Sequence, residues 1–155
     1  MKIALWVIGK TKSIHFKKGI EDYRKRVKRF HTIEFIDIEI KGKSKNPEAL
    51  RKIESEKILS RLKPSDFLVL LDEKGESLSS MELSTFLKKR MLIGNQDLIF
   101  LIGGPFGFDE SVYLRAQMKL SLSKMTFPHE MAKLIFAEQL YRAFSILHNS
   151  SYHHE

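Results

Sequence analysis

Three segments of the sequence combine groups that can bind a small ligand, and two of them directly follow apolar runs. Residues 72–76 (DEKGE) follow FLVLL, and carboxylates at the end of a strand can hold a ribose or a metal; the alternative is an ordinary turn with Gly75 at its tip. Residues 103–108 (GGPFGF) follow LIFLI and place three glycines in five positions, so the backbone can approach a ligand closely; the alternative is a tight connection. Residues 121–130 (SLSKMTFPHE) mix hydroxyls, backbone donors and apolar groups, which can surround an adenine ring.

The spacing of these residues narrows the class of ligand. No Gly-Lys-Ser/Thr follows the glycines, so the segment is not a Walker phosphate loop, and it misses the G-x-G-x-x-G spacing of dinucleotide-binding proteins. His129, Glu130 and Glu138 lack a zinc-binding spacing, and the chain has no cysteine, so we expect neither a metal site nor thiolate chemistry. A nucleoside-type ligand bound without a metal fits this pattern.

Polar residues near the C-terminus are candidates for catalysis. Glu138, Gln139 and Arg142 interrupt the apolar stripe of the last predicted helix, and a charged residue on a buried helix face needs a partner, often at a site or a subunit interface. The tail 149–155 (NSSYHHE) ends in aromatic and imidazole groups; the alternative is a frayed terminus.

Apolar runs that alternate with helical patterns predict the scaffold behind these segments. FLVLL and LIFLI are apolar on both faces, as in central parallel strands covered by helices on each side. The alternation of strands and helices predicts an α/β sheet with right-handed crossovers, in one domain spanning residues 1–155. The predicted strands are 2–8, 33–38, 67–71, 98–102 and 119–122, and the predicted helices are 16–29, 48–62, 81–92, 112–116 and 128–147. Pro47 lies in the first turn of the second helix, Ser79 and Ser80 cap the third, and Asp109 or Ser111 caps the fourth.

The charge of the chain is unevenly distributed. The net charge is +8, with +10 on residues 1–63 and −2 on residues 64–155. A basic front half indicates a polyanionic partner, and solvated helix faces are the alternative. The apolar run after Lys2 is too short for an export signal, and no stretch approaches the roughly 20 apolar residues of a membrane span. We therefore expect a soluble, cytoplasmic protein without membrane contact.

Long motifs at both ends and in the middle of the chain resemble one known family. Three segments carry the resemblance: KIALWVIGKTK, FLIGGPFGFDESV and LSLSKMTFPHEMAKLIFAEQLYRAFSILHNSSYHHE. Through them the chain resembles the RlmH family, whose members are SPOUT-class methyltransferases that modify ribosomal RNA. The resemblance covers the whole chain, and the last motif is the most specific.

The resemblance implies a fold, a cofactor, a substrate and an assembly. The fold is an α/β, parallel-rich SPOUT sheet with helices on both faces and a C-terminal trefoil knot. The reaction transfers a methyl group from S-adenosylmethionine to N3 of a pseudouridine in 23S ribosomal RNA, on the assembled ribosome and without a metal. The enzyme is a homodimer in which the tail of one subunit helps complete the site of the other. Cofactor contacts fall on Leu71, Gly103, Gly104, Leu122, Ser123, Lys124, Met125, Thr126 and Phe127.

A mechanistic hypothesis assigns the polar residues to roles in methyl transfer. The N3–H group is an imide whose proton must leave, and His153 or His129 are the plausible bases at neutral pH. Arg142 would stabilise a developing negative oxygen, and Tyr152 would stack on or hydrogen-bond the base. His129 has an alternative role as a structural residue at the start of a helix. Phosphate contacts are expected from Lys10, Lys12, Lys17, Lys18, Arg24 and Lys25.

Three other functions remain as alternatives at this stage. The first is methylation of another acceptor, such as tRNA. The second is a basic ribosome-associated binding module, which would have no need of a nucleoside pocket. The third is a nucleotide-dependent dehydrogenase, which the glycine spacing disfavours.

Overall fold

The computed structural model describes residues 1–42 and 44–154 of the chain, arranged as five strands and five helices that alternate along the sequence. One sheet contains the five strands in the order β2-β1-β4-β3-β5, and each of the four neighbouring pairs is parallel. The strands are β1 (Ile3–Ile8), β2 (Ile33–Ile38), β3 (Phe67–Ser77), β4 (Leu98–Ile102) and β5 (Met118–Ser121). The helices are α1 (Ile14–Val27), α2 (Pro47–Arg61), α3 (Ser80–Ile93), α4 (Glu110–Arg115) and α5 (His129–Leu147).

The central strands are buried on both faces, as their continuous apolar sequences predict. Every residue of β1 and β4 is buried. Alternate residues of these strands belong to two separate hydrophobic clusters, one on each face of the sheet. One cluster includes side chains of α1, α3 and α5, and the other includes side chains of α2 and α4. The predicted α/β sheet with helices on both faces is therefore confirmed.

Local capping explains where the helices begin and end. Asn46 accepts from the backbone N–H of Glu48, and Pro47 occupies the first turn of α2. Ser79 and Glu82 form a reciprocal capping box at the start of α3, which ends at Gly94 with a φ of +70°. Of the two caps expected for α4, Asp109 is the one that forms. Helix α1 begins two residues earlier and ends two residues earlier than expected.

The largest departure from the expected elements is the length of β3. This strand continues past Leu71 to Ser77, with a shift in its register against β5 between Leu71 and Glu76. The interpretation of residues 72–76 as an ordinary turn is therefore wrong. A Cβ on Gly75 would lie 2.6 to 2.7 Å from backbone atoms of Lys119 and Leu120, so only glycine lets the two strands approach this closely.

The last helix packs against α1 and α3 and covers one face of the sheet. The trefoil knot that the family resemblance implies for the C-terminal part of the chain stays a prediction. Among the helices formed by residues 1–42 and 44–154, none combines the length and hydropathy needed to cross a membrane.

Candidate active site

The carboxyl ends of β4 and β5 meet residues 71–74 of β3, where the register of β3 against β5 shifts, and together they surround a cleft. β3 lies between the other two strands, with Leu71 paired to Ile102 on one side and to Leu120 on the other. The cleft has a volume of about 720 Å³, which is within the range of small-ligand sites. Its lining combines residues 71–74, 102–108, Tyr113, Leu122, Ser123, 125–129 and Ala132.

The three segments singled out in the sequence form the walls of this cleft. Of the residues expected to contact a cofactor, those that line the cleft are Leu71, Gly103, Gly104, Leu122, Ser123, Met125, Thr126 and Phe127. Lys124 is exposed and does not line the cleft. Parallel pairing brings segments that are distant in the sequence to one edge, because successive parallel strands share their carboxyl ends there.

The glycine segment forms a wall that is closely packed from behind. A Cβ on Gly103 would lie 2.9 Å from the ring of Phe108, and one on Gly104 would lie 2.6 Å from a carboxylate oxygen of Glu54. Glu54 is a buried residue of α2, and burial raises the pKa of its carboxyl group. Arg51, also on α2, donates to the carbonyl of Phe106 at 3.3 Å. The absence of a side chain at Gly104 therefore lets the loop pack closely against Glu54 of α2, and its absence at Gly103 leaves room for the ring of Phe108.

Two carboxylates and two hydroxyls link the β3 wall to its neighbours. The hydroxyl of Tyr113 donates to Asp72 Oδ2 at 2.5 Å, and the hydroxyl of Thr126 donates to Glu73 Oε2 at 2.7 Å. Burial, together with Asp72 and Glu73, raises the pKa of Tyr113 to about 12. Tyr113 was missed by sequence reasoning, because a single tyrosine on a short helix carries no motif.

His129 joins the cleft to the start of α5. It lines the cleft, and among the described residues its buried Nε2 atom has no hydrogen-bond partner. The next residue, Glu130, accepts hydrogen bonds from the backbone N–H groups of Lys12 and Ser13. These contacts fix the first turn of α5 against the loop that follows β1, so both proposed roles of His129, at the helix start and at a site, remain compatible with its position.

A second anchor lies one turn further along the helix. The buried ammonium of Lys133 contacts Asp37 Oδ1 at 2.6 Å and Thr11 Oγ1 at 3.2 Å. Neither of these long-range contacts was predicted from the sequence, since Lys133 has no spacing pattern that distinguishes it from a solvated lysine. The ion pair ties α5 to the end of β2, and the hydrogen bond to Thr11 ties it to the loop that follows β1.

The other predicted catalytic residues form a separate cluster near the C-terminus. Arg142 contacts Glu138 Oε1 at 2.5 Å and lies 3.3 Å from His153 Nδ1. Tyr152 donates to the same Glu138 oxygen at 3.1 Å, and its ring lies 4.8 Å from the guanidinium carbon of Arg142. Burial raises the pKa of Tyr152, and the hydrogen bond to Glu138 raises that of Arg142. Tyr152 and His153 are half-buried, so the frayed-tail alternative is wrong for them.

The C-terminal cluster and the cleft are far apart within one chain. Arg142 follows His129 by 13 positions in a continuous helix, which at 1.5 Å per residue corresponds to about 20 Å. The structure thus brings His129 to the cleft, but it leaves Tyr152, His153 and Arg142 away from it. A single chain does not assemble all four predicted catalytic residues.

The cleft fits a nucleoside-type cofactor on physical grounds. It offers apolar surface for a base, a glycine wall for close approach, carboxylates for ribose hydroxyls or a cationic group, and an unpartnered imidazole nitrogen. In the part of the chain that the structure describes, no group of three or more His, Cys, Asp or Glu residues is arranged to hold a metal ion.

Comparison with known proteins gives matches over nearly the whole chain. Residues 1–153 match the family described as predicted SPOUT methyltransferases. A protein of Parabacteroides distasonis named ribosomal RNA large subunit methyltransferase H is 50% identical to this chain over 157 residues. A protein of the same name from Bacteroides thetaiotaomicron is 46% identical over 160 residues. In both comparisons 100% of each chain is covered. A solved structure of a probable methylase family protein from Haemophilus influenzae Rd KW20 has a TM-score of 0.53 at 13% identity, covering 99% of this chain and 70% of that one. The last of these likenesses concerns the fold alone.

Proposed function

The chain belongs to the SPOUT methyltransferase family, and from this premise we propose that it methylates N3 of a pseudouridine in 23S ribosomal RNA with S-adenosylmethionine as donor. The observation that carries the proposal is the cleft, in which three separate segments converge on a volume suited to a nucleoside. Relatives that share up to half of its residues are named as methyltransferases of large-subunit ribosomal RNA.

In the proposed function the cleft residues hold the cofactor. Leu71, Gly103, Gly104 and residues 122–127 would surround it, with Lys124 as the one predicted contact that needs a different side-chain position. When bound, S-adenosylmethionine supplies an electrophilic methyl carbon on a good leaving group, so no metal is required. The protein's task is to orient the acceptor nitrogen in line with that carbon and to exclude water.

The residues of this chain must also remove a proton from N3. His129 is our first candidate for this role, and two observations support it: His129 lines the cleft, and its Nε2 atom has no partner among the described residues. His153 is the other candidate, and the ion pair with Glu138 orients Arg142 beside it. A guanidinium in that position would stabilise negative charge on the carbonyl oxygens next to N3.

The distance between cluster and cleft supports a homodimeric enzyme. Arg142 lies about 20 Å along α5 from His129, and Tyr152 and His153 lie beside Arg142. A second copy of the chain would therefore supply its tail to the cleft. Mixing Arg142→Ala with Gly103→Val tests this arrangement, because the first variant damages the tail cluster and the second clashes with the ring of Phe108, which lines the cleft. Each homodimer should be inactive. In an equimolar mixture about half of the re-formed dimers are mixed, and each of these has one intact site, so about a quarter of the wild-type sites should recover. No recovery on mixing would contradict a shared site.

The basic front half supplies a surface for ribosomal RNA in this proposal. Lys12, Lys17, Lys18 and Lys25 are exposed and form no ion pair with the described residues, whereas Lys10 contacts Glu39 and Arg24 contacts Glu21. Replacing Lys17 and Lys18 by glutamate should weaken ribosome binding and leave cofactor binding unchanged. Replacing Lys88 and Lys89 on α3 makes the same change of charge elsewhere and is the matched control.

Mass spectrometry of ribosomal RNA tests the substrate directly. RNA from cells with and without the gene should differ by one methyl group on one pseudouridine of 23S RNA, and wild-type protein with S-adenosylmethionine should restore it on purified ribosomes. Methylation of bulk tRNA in place of ribosomes would contradict the assignment of the acceptor. A ribosomal substrate also places the enzyme in the cytoplasm.

A further inference from the structure

The cleft is acidic although the chain as a whole is basic. The net charge of the protein is +8, but the carboxylate and ammonium side chains that line the cleft are those of Asp72, Glu73 and Lys74. Asp72 is half-buried, whereas Glu73 and Lys74 are both exposed. The walls of the cleft therefore oppose the long-range field of the protein, which attracts polyanions.

Both carboxylates keep their negative charge available to a ligand. Asp72 accepts from the backbone N–H of Lys74 at 2.9 Å and from the hydroxyl of Tyr113 at 2.5 Å. Glu73 accepts from the hydroxyl of Thr126 at 2.7 Å. These donors are all neutral, and within the described residues neither carboxylate has a cationic side chain within 4.0 Å. Hydrogen bonds from neutral groups fix the position of the carboxylates without cancelling their charge.

Tyr113 responds to the negative potential of this wall. Burial is the main cause of its raised pKa, and the hydrogen bond to Asp72 and the charges of Asp72 and Glu73 raise it further, to about 12. A phenol is harder to ionise beside negative charge because the phenolate would be repelled. A cationic ligand in the same cleft experiences the opposite effect.

We propose that Asp72 and Glu73 make the cleft selective for the cationic cofactor over its neutral product. This inference rests on the proposed function, in which S-adenosylmethionine occupies the cleft. Methyl transfer would break the bond between sulfur and the methyl carbon and leave its electron pair on sulfur, while N3 bonds to the methyl group and gives its proton to the base, so that the sulfonium becomes a neutral thioether. The attraction between the sulfonium charge and both carboxylates is lost in that step, which weakens binding of S-adenosylhomocysteine and promotes its release.

The same wall keeps the ribosomal RNA backbone out of the cofactor cleft. Phosphates that are drawn to Lys12, Lys17 and Lys18 are repelled by Asp72 and Glu73 at the strand ends. Opposite charges on the two surfaces thus direct a cationic cofactor and an anionic substrate to different places on one small protein.

Isothermal titration calorimetry with purified ligands tests the selectivity. Asp72→Asn, Glu73→Gln and the double variant remove charge but retain an oxygen that accepts from Tyr113 or Thr126. Glu76→Gln is the matched control, because Glu76 is exposed on the same strand and does not line the cleft. Each neutralised carboxylate should weaken S-adenosylmethionine by about threefold to tenfold at low salt, while S-adenosylhomocysteine changes by less than about twofold. Sinefungin, which carries an amine near the position of the sulfonium, should follow S-adenosylmethionine.

The outcomes separate this inference from the function on which it rests. Equal weakening of the cationic and neutral ligands, or an unchanged ratio in the double variant, would overturn charge selectivity and leave the methyltransferase proposal standing. Failure of the wild-type protein to bind either ligand would overturn both. Thermal melting of each variant provides a folding control, and Glu73→Gln is the safest variant because its side chain is exposed.

Discussion

Gly104→Ala should disturb the cofactor cleft through a contact that lies behind it. The added Cβ would lie 2.6 Å and 3.0 Å from the two carboxylate oxygens of Glu54, whereas ordinary contacts begin at 3.4 Å. Either the loop or Glu54 must therefore move by about 0.8 Å, which is 3.4 Å minus 2.6 Å. Glu54 is only 5% exposed, so it cannot swing freely into solvent. We expect a loss of about 2 kcal/mol, typical of an extra methyl group in a packed region.

This loss can reduce the free energy of unfolding, the affinity for the cofactor or both, depending on whether Glu54 or the loop moves. If Glu54 is displaced within the protein, urea denaturation should show the loss in the free energy of unfolding. If the loop moves into the cleft, calorimetry should show S-adenosylmethionine binding weakened by about tenfold for each 1.4 kcal/mol. The sum of the two losses is the quantity to compare with the estimate.

A double-mutant cycle with Glu54→Ala identifies the cause. Removing the Glu54 carboxylate should recover at least about 1 kcal/mol of the loss caused by Gly104→Ala, because the clash then has no partner. Gly107→Ala is the control in the same loop: its Cβ would meet nothing within 4 Å, but its φ of +75° strains any side chain. That strain should be independent of Glu54. A coupling of zero for Gly104, or an equal coupling for Gly107, would refute the steric argument.

Three further predictions concern stability. Gly75→Ala should cost about 3 kcal/mol in urea denaturation, because its Cβ would meet backbone at 2.6 Å and no side chain can yield; a loss below about 1 kcal/mol would contradict this. Asp37→Asn should lower the free energy of unfolding by about 3 kcal/mol, because it leaves the buried ammonium of Lys133 without its carboxylate. Lys133→Met should cost less, because the carboxylate that it leaves behind is 32% exposed. A larger loss for Lys133→Met than for Asp37→Asn would contradict this reasoning. Burial lowers the pKa of His31 below its ordinary value of 6.5, so protonation of His31 is less favourable in the folded protein than in the unfolded chain. The free energy of unfolding should therefore be highest above pH 6.5 and fall as the pH drops below that value. His31→Phe should flatten that fall in melts between pH 5 and 8, and an unchanged pH profile would contradict it.

Local patterns predicted most of the elements because their causes are local. FLVLL and LIFLI are apolar on both faces, and the structure places them as adjacent strands inside the sheet. The capping box at Ser79 and the proline of α2 fixed helix starts to within a residue or two. The ligand-binding segments were found for the same reason, since strand ends in a parallel sheet converge by geometry alone.

Features that depend on contacts between distant segments escaped the sequence. The extension of β3 to Ser77 requires β5 to lie beside Gly75, and nothing near Gly75 in the sequence indicates that neighbour. Tyr113 and Glu54 contribute to the cleft only because α4 and α2 pack behind it. The distance from His129 to Arg142 is fixed by one uninterrupted helix, and residue types near the C-terminus do not say how far they lie from the cleft of their own chain.

The contacts that hold the start of α5 also determine when the cleft can form during synthesis of the chain. Glu130 holds the backbone of Lys12 across 118 positions, and Lys133 reaches Thr11 across 122. Such long loops close slowly, because their entropy is lost before any contact compensates it. The N-terminal strands can collapse early during synthesis, but the cleft gains the wall formed by residues 122–132 only after that later segment has been made and has packed against the loop that follows β1. Binding in the cleft therefore begins only after segments 118 to 122 positions apart in the sequence have come together.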